Sequence, residues 1–360
     1  MVHFILAIAL LLTLIGSMKH SKQIFLLAFL FLFVFAAQRY MFGNDYANYY
    51  QIHSRIINGG ISPYNGEYLF TLLNALTPSF FYLIILTSAF FLFSVYHLLL
   101  RNLPIGYAWI GVFIFLFNPY LFLMNLSALR QCIAMVFFIF AVDAAYKKRW
   151  LKYFILLAVA ALFHKSAWLL LPLYFFIHDR PVNTYGCWLT FFFVLLLVYV
   201  IDLSDLIVWT AKLFNDPNYL SHAQTGTQNS LRATLLTSIY FIYVLYNLPR
   251  LSGKTLVYSK VYLIATILGM LAYKMSMFTR IQMYFDIFSI IALPLIFYDI
   301  QSRGPVECRA DRPLATMWDC VNKYAIPVLL VTVYFLRYYS FFTNPMWRSF
   351  FEYQTIFSTL

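Results

Sequence analysis

The sequence predicts an all-α polytopic membrane protein with about 11–12 transmembrane helices. Of its 360 residues, 63% are hydrophobic and only 11% are charged, and the mean hydropathy is +0.76. Runs of about eighteen or more apolar residues, the length that a bilayer requires, recur along the chain. These runs are continuous and lack the alternation of a lipid-facing strand, so they predict helices. A soluble enzyme is excluded, because it could not bury this much apolar surface.

Charge and cysteine content argue against a nucleic-acid partner, a disulfide and a metal site. The net charge of +12 comes from basic residues scattered through short loops, which is typical of cytoplasmic loops in membrane proteins. We therefore expect no nucleic-acid partner. Cys308 and Cys320 lie in a basic loop that we assign to the cytoplasm, where a disulfide does not persist. Their spacing offers no second pair of ligands, so we expect no metal site and no cofactor.

The first spans follow from the positions of the basic residues. Residues 2–16 form an apolar segment, and the positive charge follows it at Lys19 and Lys22. A signal peptide would carry that charge before the apolar segment. We expect the N-terminus outside and the two lysines in the cytoplasm. Residues 23–38 then cross back, so the loop at about residues 39–78 is predicted to face the periplasm.

The segment at 153–178 decides the rest of the topology. It is interrupted by His164-Lys165, a cationic pair that is costly against lipid. It is either one tilted span or a hairpin of two short helices that meet at His164 on the outer side. We favour the hairpin, because a single span would move the later basic loops out of the cytoplasm. The other spans are predicted at 79–100, 106–124, 127–146, 186–201, 233–248, 261–273, 281–300 and 325–342.

This topology makes residues 1–360 one integral membrane domain whose polar outliers gather on the periplasmic side. A loop at 203–231 and the tail at 343–360 also face the periplasm. A carboxylate there can take a proton from a hydroxyl nucleophile, and cations can stabilise a departing phosphate. Tyrosine rings suit sugar faces. A lipid-linked sugar diphosphate needs all three. The outliers and the ring candidates are Asp45, Glu67, Arg130, His164, Lys165, Lys274, Arg280, Tyr46, Tyr49, Tyr50 and Tyr64.

Each of these residues also has a purely structural interpretation. Asp45 and Glu67 are also placed to cap a helix or to sit in its first turn. Arg130 and Arg280 lie near span ends, where arginines snorkel. Tyrosines are common at membrane edges in any case. His164, next to Lys165 in the middle of a segment, fits a structural role least well.

A set of short motifs resembles the EpsG family of Wzy-like polysaccharide polymerases. Gly43-Asn44-Asp45-Tyr46 with Tyr49-Tyr50, and then Glu67 with Phe70, resembles the first periplasmic loop of that family. Their order and spacing carry the resemblance, which extends from about residue 39 to 300. The later motifs are Arg130-Gln131, Leu162-Phe163-His164-Lys165-Ser166-Ala167, and Thr279-Arg280 followed by Tyr284-Phe285. The C-terminal stretch from Asn344 to Trp347 adds little.

The resemblance implies a glycosyltransferase of the bacterial inner (cytoplasmic) membrane with its active site facing the periplasm. Such an enzyme polymerises undecaprenyl-diphosphate-linked oligosaccharide repeat units into O-antigen or a related surface polysaccharide. The implied fold is similar to the C-type membrane glycosyltransferases (GT-C-like), whose catalytic acid lies in an early external loop. The implied partners are the lipid-linked oligosaccharide, the lipid bilayer, a chain-length regulator of the Wzz type and a flippase.

The residues then suggest a mechanism. Asp45 is predicted to be the general base, with Glu67 as the competing candidate or an orienting partner. Arg130 and Arg280 are predicted to hold the donor diphosphate, and His164 with Lys165 to support it or to donate to a phosphate oxygen. The predicted catalytic residues are thus Asp45, Glu67 and His164. Tyr46, Tyr49 and Tyr50 are the predicted sugar-binding residues. Two alternatives remain: an O-antigen ligase, which usually carries a larger external loop, and a flippase or transporter of repeat units, which should place its charges at mid-membrane.

Overall fold

The computed structural model describes residues 1–200, 231–274, 278–302, 317 and 319–359. The chain divides into two compact units, Met1–His178 with Tyr334–Leu360, and Asp179–Val333. The described structure is 81% helical with almost no sheet, which confirms the all-α prediction. The prediction of one integral membrane domain stays a prediction. The predicted loop at 203–231 lies almost entirely outside the described residues, as does Cys308.

Among the described residues, the first unit contains nine complete α-helices and, from Tyr334 onwards, the second part of the helix Ile326–Thr343. After α9 the chain forms a 3₁₀ segment, Lys165–Phe175, and its C-terminal part forms 3₁₀ turns at Pro345–Phe350 and Ile356–Thr359. Strands β1 (Arg39–Tyr40) and β2 (Gln354–Thr355) pair in antiparallel fashion, with Arg39 opposite Thr355. The helices are α1 Val2–Met18, α2 Lys22–Ala37, α3 Tyr46–Ile57, α4 Tyr68–Leu76, α5 Phe80–Asn102, α6 Ile105–Phe117, α7 Leu123–Ser127, α8 Leu129–Tyr146 and α9 Trp150–Phe163.

The second unit is also helical. A reciprocal pair of amide hydrogen bonds, 3.0 and 2.9 Å long, joins the buried side chains of Asn247 and Asn322. This pairing satisfies polar groups that would be costly to bury alone. The described helices of the second unit are α10 Thr184–Leu195 with a π turn at Leu196–Val200, α11 Leu231–Asn247, α12 Gly253–Leu271, α13 Phe278–Asp286, α14 Ser289–Gln301, and a π turn at Val321–Ala325 that leads into α15, Ile326–Thr343. The unit ends at Val333, within α15.

Several of these helices are suited to a membrane. Five segments of the described chain are long and apolar enough to cross one, and α13 with α14, which meet at a 51° bend, make a sixth if they count as one span. A polytopic membrane protein is thereby confirmed, whereas the count of 11–12 spans stays a prediction. The five segments are Phe80–Asn102, Leu129–Tyr146, Leu231–Arg250, Gly253–Leu271 and Val321–Thr343. Five shorter apolar helices have 10–17 residues: Val2–Met18, Lys22–Ala37, Ile105–Phe117, Trp150–Phe163 and Thr184–Val200.

The chain reverses direction at His164. This residue is extended (φ −153°, ψ 115°) between α9 and the following 3₁₀ segment, and Pro172 within that segment removes an α-helical hydrogen bond. The Tyr153 hydroxyl donates to the Leu170 carbonyl oxygen at 2.6 Å. A continuous helix would hold these two residues roughly 25 Å apart. The predicted chain reversal within 153–178 is therefore confirmed, whereas its position on the outer side of a membrane stays a prediction.

Different polar contacts lie at the two ends of the first unit. At one end, His3 at the start of α1 lies 2.6 Å from the Tyr338 hydroxyl near the end of α15, and the β1–β2 pair lies at the exit of α2. At the other end, Asp143 forms an ion pair with Arg101 at 3.4 Å and accepts a hydrogen bond from Lys147 at 2.8 Å. The positive-inside rule assigns this second end to the cytoplasm; that assignment stays a prediction.

Candidate functional site

Glu67 is a buried carboxylate at which three parts of the chain meet. It precedes α4 and is 3% exposed. Its Oε2 accepts from the Arg130 guanidinium at 2.6 Å, and its Oε1 lies 3.0 Å from His164 Nδ1. The backbone N–H of Lys165 donates to the same Oε1 at 3.2 Å. The loop before α4, the start of α8 and the reversal after α9 are thus joined by one side chain.

The environment of Glu67 favours its ionised form. Burial alone would raise the pKa of the Glu67 carboxyl, because it disfavours the charged state. The hydrogen bonds and positive charges of His164 and Arg130 outweigh burial and lower this pKa. Because an ionised carboxylate only accepts hydrogen bonds, the Nδ1 of His164 carries a hydrogen. Glu67 is therefore charged at neutral pH, and its lone pairs are committed to these partners.

Arg130 is held in one orientation by two tyrosines as well as by Glu67. Its Nε donates to the Tyr49 hydroxyl at 3.3 Å, and its guanidinium carbon lies 3.4 Å from the centre of the Tyr64 ring, a cation–π contact. The Arg130 side chain is 19% exposed. Two of its five N–H groups are used by Tyr49 and Glu67, which leaves three for a ligand. A snorkelling side chain would not be fixed in this way, so the snorkelling interpretation of Arg130 is not supported; substrate binding by Arg130 stays a prediction.

Lys165 lies beside this cluster and is exposed. Its side chain passes Gly66, where a Cβ would stand 3.1 Å from Lys165 Cε. Gly66 also has a φ of +84°, which disfavours any residue with a side chain. Glycine at this position therefore lets the lysine lie next to the loop that carries Glu67.

Asp45 lies at the start of α3, next to the cluster. It is exposed, and its side chain makes no capping hydrogen bond to α3, so the helix-cap interpretation is not supported. Asp45, Asn48 and Tyr49 have the i, i+3, i+4 spacing of one helix face. The Asn48 amide donates to the Tyr64 hydroxyl at 3.4 Å. Burial, and to a smaller extent the negative charge of Asp45, raise the pKa of Tyr49 to about 12, which places Asp45 close to the tyrosines around Arg130.

The three predicted sugar-binding tyrosines differ in exposure. Tyr50 is 55% exposed, whereas Tyr46 and Tyr49 are buried. Tyr46 packs edge-on against Phe80, with ring centres 5.1 Å apart, and Tyr49 packs edge-on against Phe70 at 5.8 Å. Of the three rings, that of Tyr50 is open to a ligand, and Tyr49 offers its hydroxyl to Arg130. Sugar binding by these residues stays a prediction.

Arg280 belongs to the second unit. It lies in α13 and is exposed, whereas the neighbouring Tyr284 and Phe285 are buried. Lys274 follows α12 in the same unit, and residues 275–277 between them lie outside the described residues. The structure therefore brings Glu67, Arg130, His164 and Lys165 together, with Asp45 adjacent. Diphosphate binding by Arg280 stays a prediction.

Sequence reasoning missed several residues around this cluster. The sequence suggests Tyr64 only as a ring for sugar binding, whereas in the structure Arg130 covers one face of that ring. The role of Ser127, whose hydroxyl accepts from the Asp45 backbone N–H at 3.0 Å, has no signal in the sequence. The C-terminal segment also contacts the first loop: the Asn44 side chain donates to the Met346 carbonyl oxygen at 3.3 Å. No sequence pattern links positions 302 residues apart.

Comparison with known proteins identifies one family. The family model described as the EpsG family matches residues 22–304, which is more than half of the chain and includes every predicted site residue. This family includes Wzy-like, O-antigen-polymerase-type membrane proteins. No curated protein and no solved structure gives a significant match. Among the described residues, no three His, Cys, Asp or Glu side chains are grouped so that they could hold a metal ion.

Proposed function

The chain belongs to the EpsG family, and this membership indicates a membrane protein of polysaccharide biosynthesis. On this basis we propose that it is a Wzy-like polymerase. In this proposal it is a glycosyltransferase of the bacterial inner membrane that acts on its periplasmic side. It joins undecaprenyl-diphosphate-linked oligosaccharide repeat units into O-antigen or a related surface polysaccharide.

The observation that supports this proposal best is the oriented guanidinium of Arg130. Glu67 and Tyr49 hold it by hydrogen bonds, and Tyr64 covers one of its faces. A planar, fixed guanidinium with free N–H groups is suited to a diphosphate. Lys165 adds a second positive charge at the exposed side of the same cluster. Cations that are in place before the reaction lose no energy in reorganising when charge develops on the leaving group.

The two acids of the first loop take different roles in this proposal. Glu67 has a lowered pKa, and its oxygens are engaged by three donors, so it is a poor base and acts as a positioning residue for Arg130 and His164. Asp45 is exposed and does not cap its helix. It is therefore the general base, since a base must reach the proton that it removes.

The proposed reaction is one glycosyl transfer. Asp45 takes the proton of the acceptor sugar hydroxyl, and the hydroxyl oxygen attacks the anomeric carbon of the donor glycan. The bond from that carbon to the diphosphate oxygen breaks, and the electron pair leaves with undecaprenyl diphosphate. Arg130 and Lys165 stabilise the charge that develops there. The second ring nitrogen of His164, when protonated, donates to a phosphate oxygen.

The test is complementation of a strain that lacks this gene, read as polysaccharide banding on gels. We expect the deletion to replace the ladder with a single-repeat band, and the wild-type gene to restore the ladder. Asp45→Asn should not restore it, although immunoblots of membranes should show the protein at its normal level. Asp143→Asn is the matched control, because it removes a carboxylate at the opposite end of the first unit and should restore the ladder.

Other banding patterns would refute the proposal. Loss of the single-repeat band together with the ladder would indicate a flippase or transporter. Accumulation of long chains on undecaprenyl diphosphate would indicate a ligase. A normal ladder from Asp45→Asn would show that Asp45 is not the base.

A further inference from the structure

The C-terminal segment binds the turn that carries Asp45. The Gly43 backbone N–H donates to the Ser349 carbonyl oxygen at 3.1 Å, and the Ser349 hydroxyl donates to the Asn44 side-chain oxygen. The Asn44 amide nitrogen donates to the Met346 carbonyl oxygen at 3.3 Å. Two consecutive residues before Asp45 are thus held by residues more than three hundred positions away.

The same turn is held from its other side by α7. Ser127, the last residue of that helix, accepts from the Asp45 backbone N–H at 3.0 Å. Gly43 has a φ of +100°, and a Cβ there would stand 3.0 Å from Ser127 Cβ. The turn is therefore packed between α7 and the C-terminal segment, and its conformation requires glycine. Little freedom remains for the backbone from which the Asp45 side chain projects.

The C-terminal segment is anchored a second time, away from this turn. The Tyr353 hydroxyl donates to the Phe35 carbonyl oxygen at 2.6 Å, and the two rings stack with centres 4.4 Å apart. The β1–β2 pair adjoins this anchor, and the Ile356 backbone N–H donates to the Gln38 carbonyl oxygen at 3.1 Å. The Tyr353 hydroxyl thus anchors the segment at Phe35, whereas Ser349 and Met346 bond to the turn itself.

We propose that Ser349 and Asn44 are positioning residues for Asp45, so that the C-terminal segment completes the active site of the first unit. The inference rests on the proposed function, in which Asp45 is the general base. It extends that function to a segment that lies beyond residues 22–304, the part of the chain matched by the family model. A displacement of about 1 Å in a catalytic group can cost about a hundredfold in rate. Loss of the Ser349 hydroxyl should therefore affect the chemical step.

The experiment compares three full-length variants in reconstituted membranes. The substrate is the lipid-linked repeat unit extracted from the deletion strain, and linkage formation is followed by mass spectrometry. Ser349→Ala should lower kcat by about 10- to 100-fold while KM changes little. Ser349→Thr keeps the hydroxyl and should restore most of the rate. Tyr353→Phe removes the hydroxyl of the other anchor, keeps the ring that packs against Phe42 and leaves the hydrogen bonds of the turn in place, so it should leave kcat near that of the wild type.

A double variant tests whether Ser349 acts through Asp45. In the Asp45→Asn background, Ser349→Ala should cause no further loss of kcat, because the group that it positions is no longer a base. A full additional loss there, a wild-type kcat for Ser349→Ala, or an equal loss for Tyr353→Phe would overturn the inference. Failure of the proposed function looks different: Asp45→Asn would keep the wild-type rate, or the wild-type protein would form no linkage.

Discussion

Replacement of Glu67 by glutamine should destabilise the first unit strongly, although the change removes one charge and little volume. The Glu67 carboxylate is 3% exposed and bonds to the Arg130 guanidinium at 2.6 Å. Its other oxygen accepts from His164 and from the Lys165 backbone. In Glu67→Gln, whichever oxygen becomes an NH₂ group opposes a donor instead of accepting from it. Breaking a buried ion pair from one side costs about 3–5 kcal/mol.

Thermal unfolding of the purified protein measures this cost. At roughly 2–4 °C per kcal/mol for a unit of about 200 residues, a loss of about 3 kcal/mol should lower Tm by about 6–12 °C. Asp45→Asn is the matched control from the same loop. Asp45 is exposed, and a surface substitution should change stability by within about 0.5 kcal/mol. Equal Tm values for Glu67→Gln and Asp45→Asn would refute the argument that Glu67 holds the cluster together.

Three further predictions concern the same cluster. The pKa of Glu67 is lowered in the folded protein, so the ionised carboxylate stabilises the fold. This stabilisation should be complete above the ordinary glutamate pKa of about 4.3 and should be lost as the pH falls through the lower pKa that Glu67 has in the folded protein. Tm measured between pH 7 and pH 3 should therefore fall less steeply in Glu67→Gln; identical slopes would contradict this. Arg130→Lys should lower polymerisation by about a hundredfold with the protein still in the membrane, because lysine cannot replace the planar guanidinium between Glu67 and Tyr64; a normal ladder on a gel would count against it. Gly66→Ala should lower the free energy of unfolding by about 1–2 kcal/mol, because the φ of this residue is positive. It should also weaken activity, because the added methyl group displaces Lys165. Gly59→Ala is the control: its φ is +78° but it lies in open space, so Tm should fall by a similar amount while activity stays normal.

Features that depend on neighbouring residues could be predicted from the sequence. Long apolar runs predict the helices of the described chain, since hydropathy is a local property. His164-Lys165 interrupts an apolar segment, and the chain does reverse there. The two acids of the first loop also stand out, because charges are rare in such a chain.

Features that depend on distant contacts could not be predicted. The partners of Glu67 are 63, 97 and 98 positions away, and no local pattern selects them from the other basic residues. The tyrosines of α3 show a related difficulty. Helical spacing places Tyr46, Tyr49 and Tyr50 within about one turn, but the packing of Phe70 and Phe80 decides which of their rings are buried.

The difference between the two acids of the first loop also arises from packing. In sequence, both are acids at the start of a short helix, and either fits the role of a base. In the structure, Glu67 is enclosed by three donors, whereas Asp45 is exposed on a turn held by Ser127 and Ser349. Two carboxylates in such different surroundings are suited to different chemical roles. Because Ser127 and Ser349 come from distant parts of the chain, the position of the proposed base depends on the fold of the whole first unit and cannot be assigned from its loop alone.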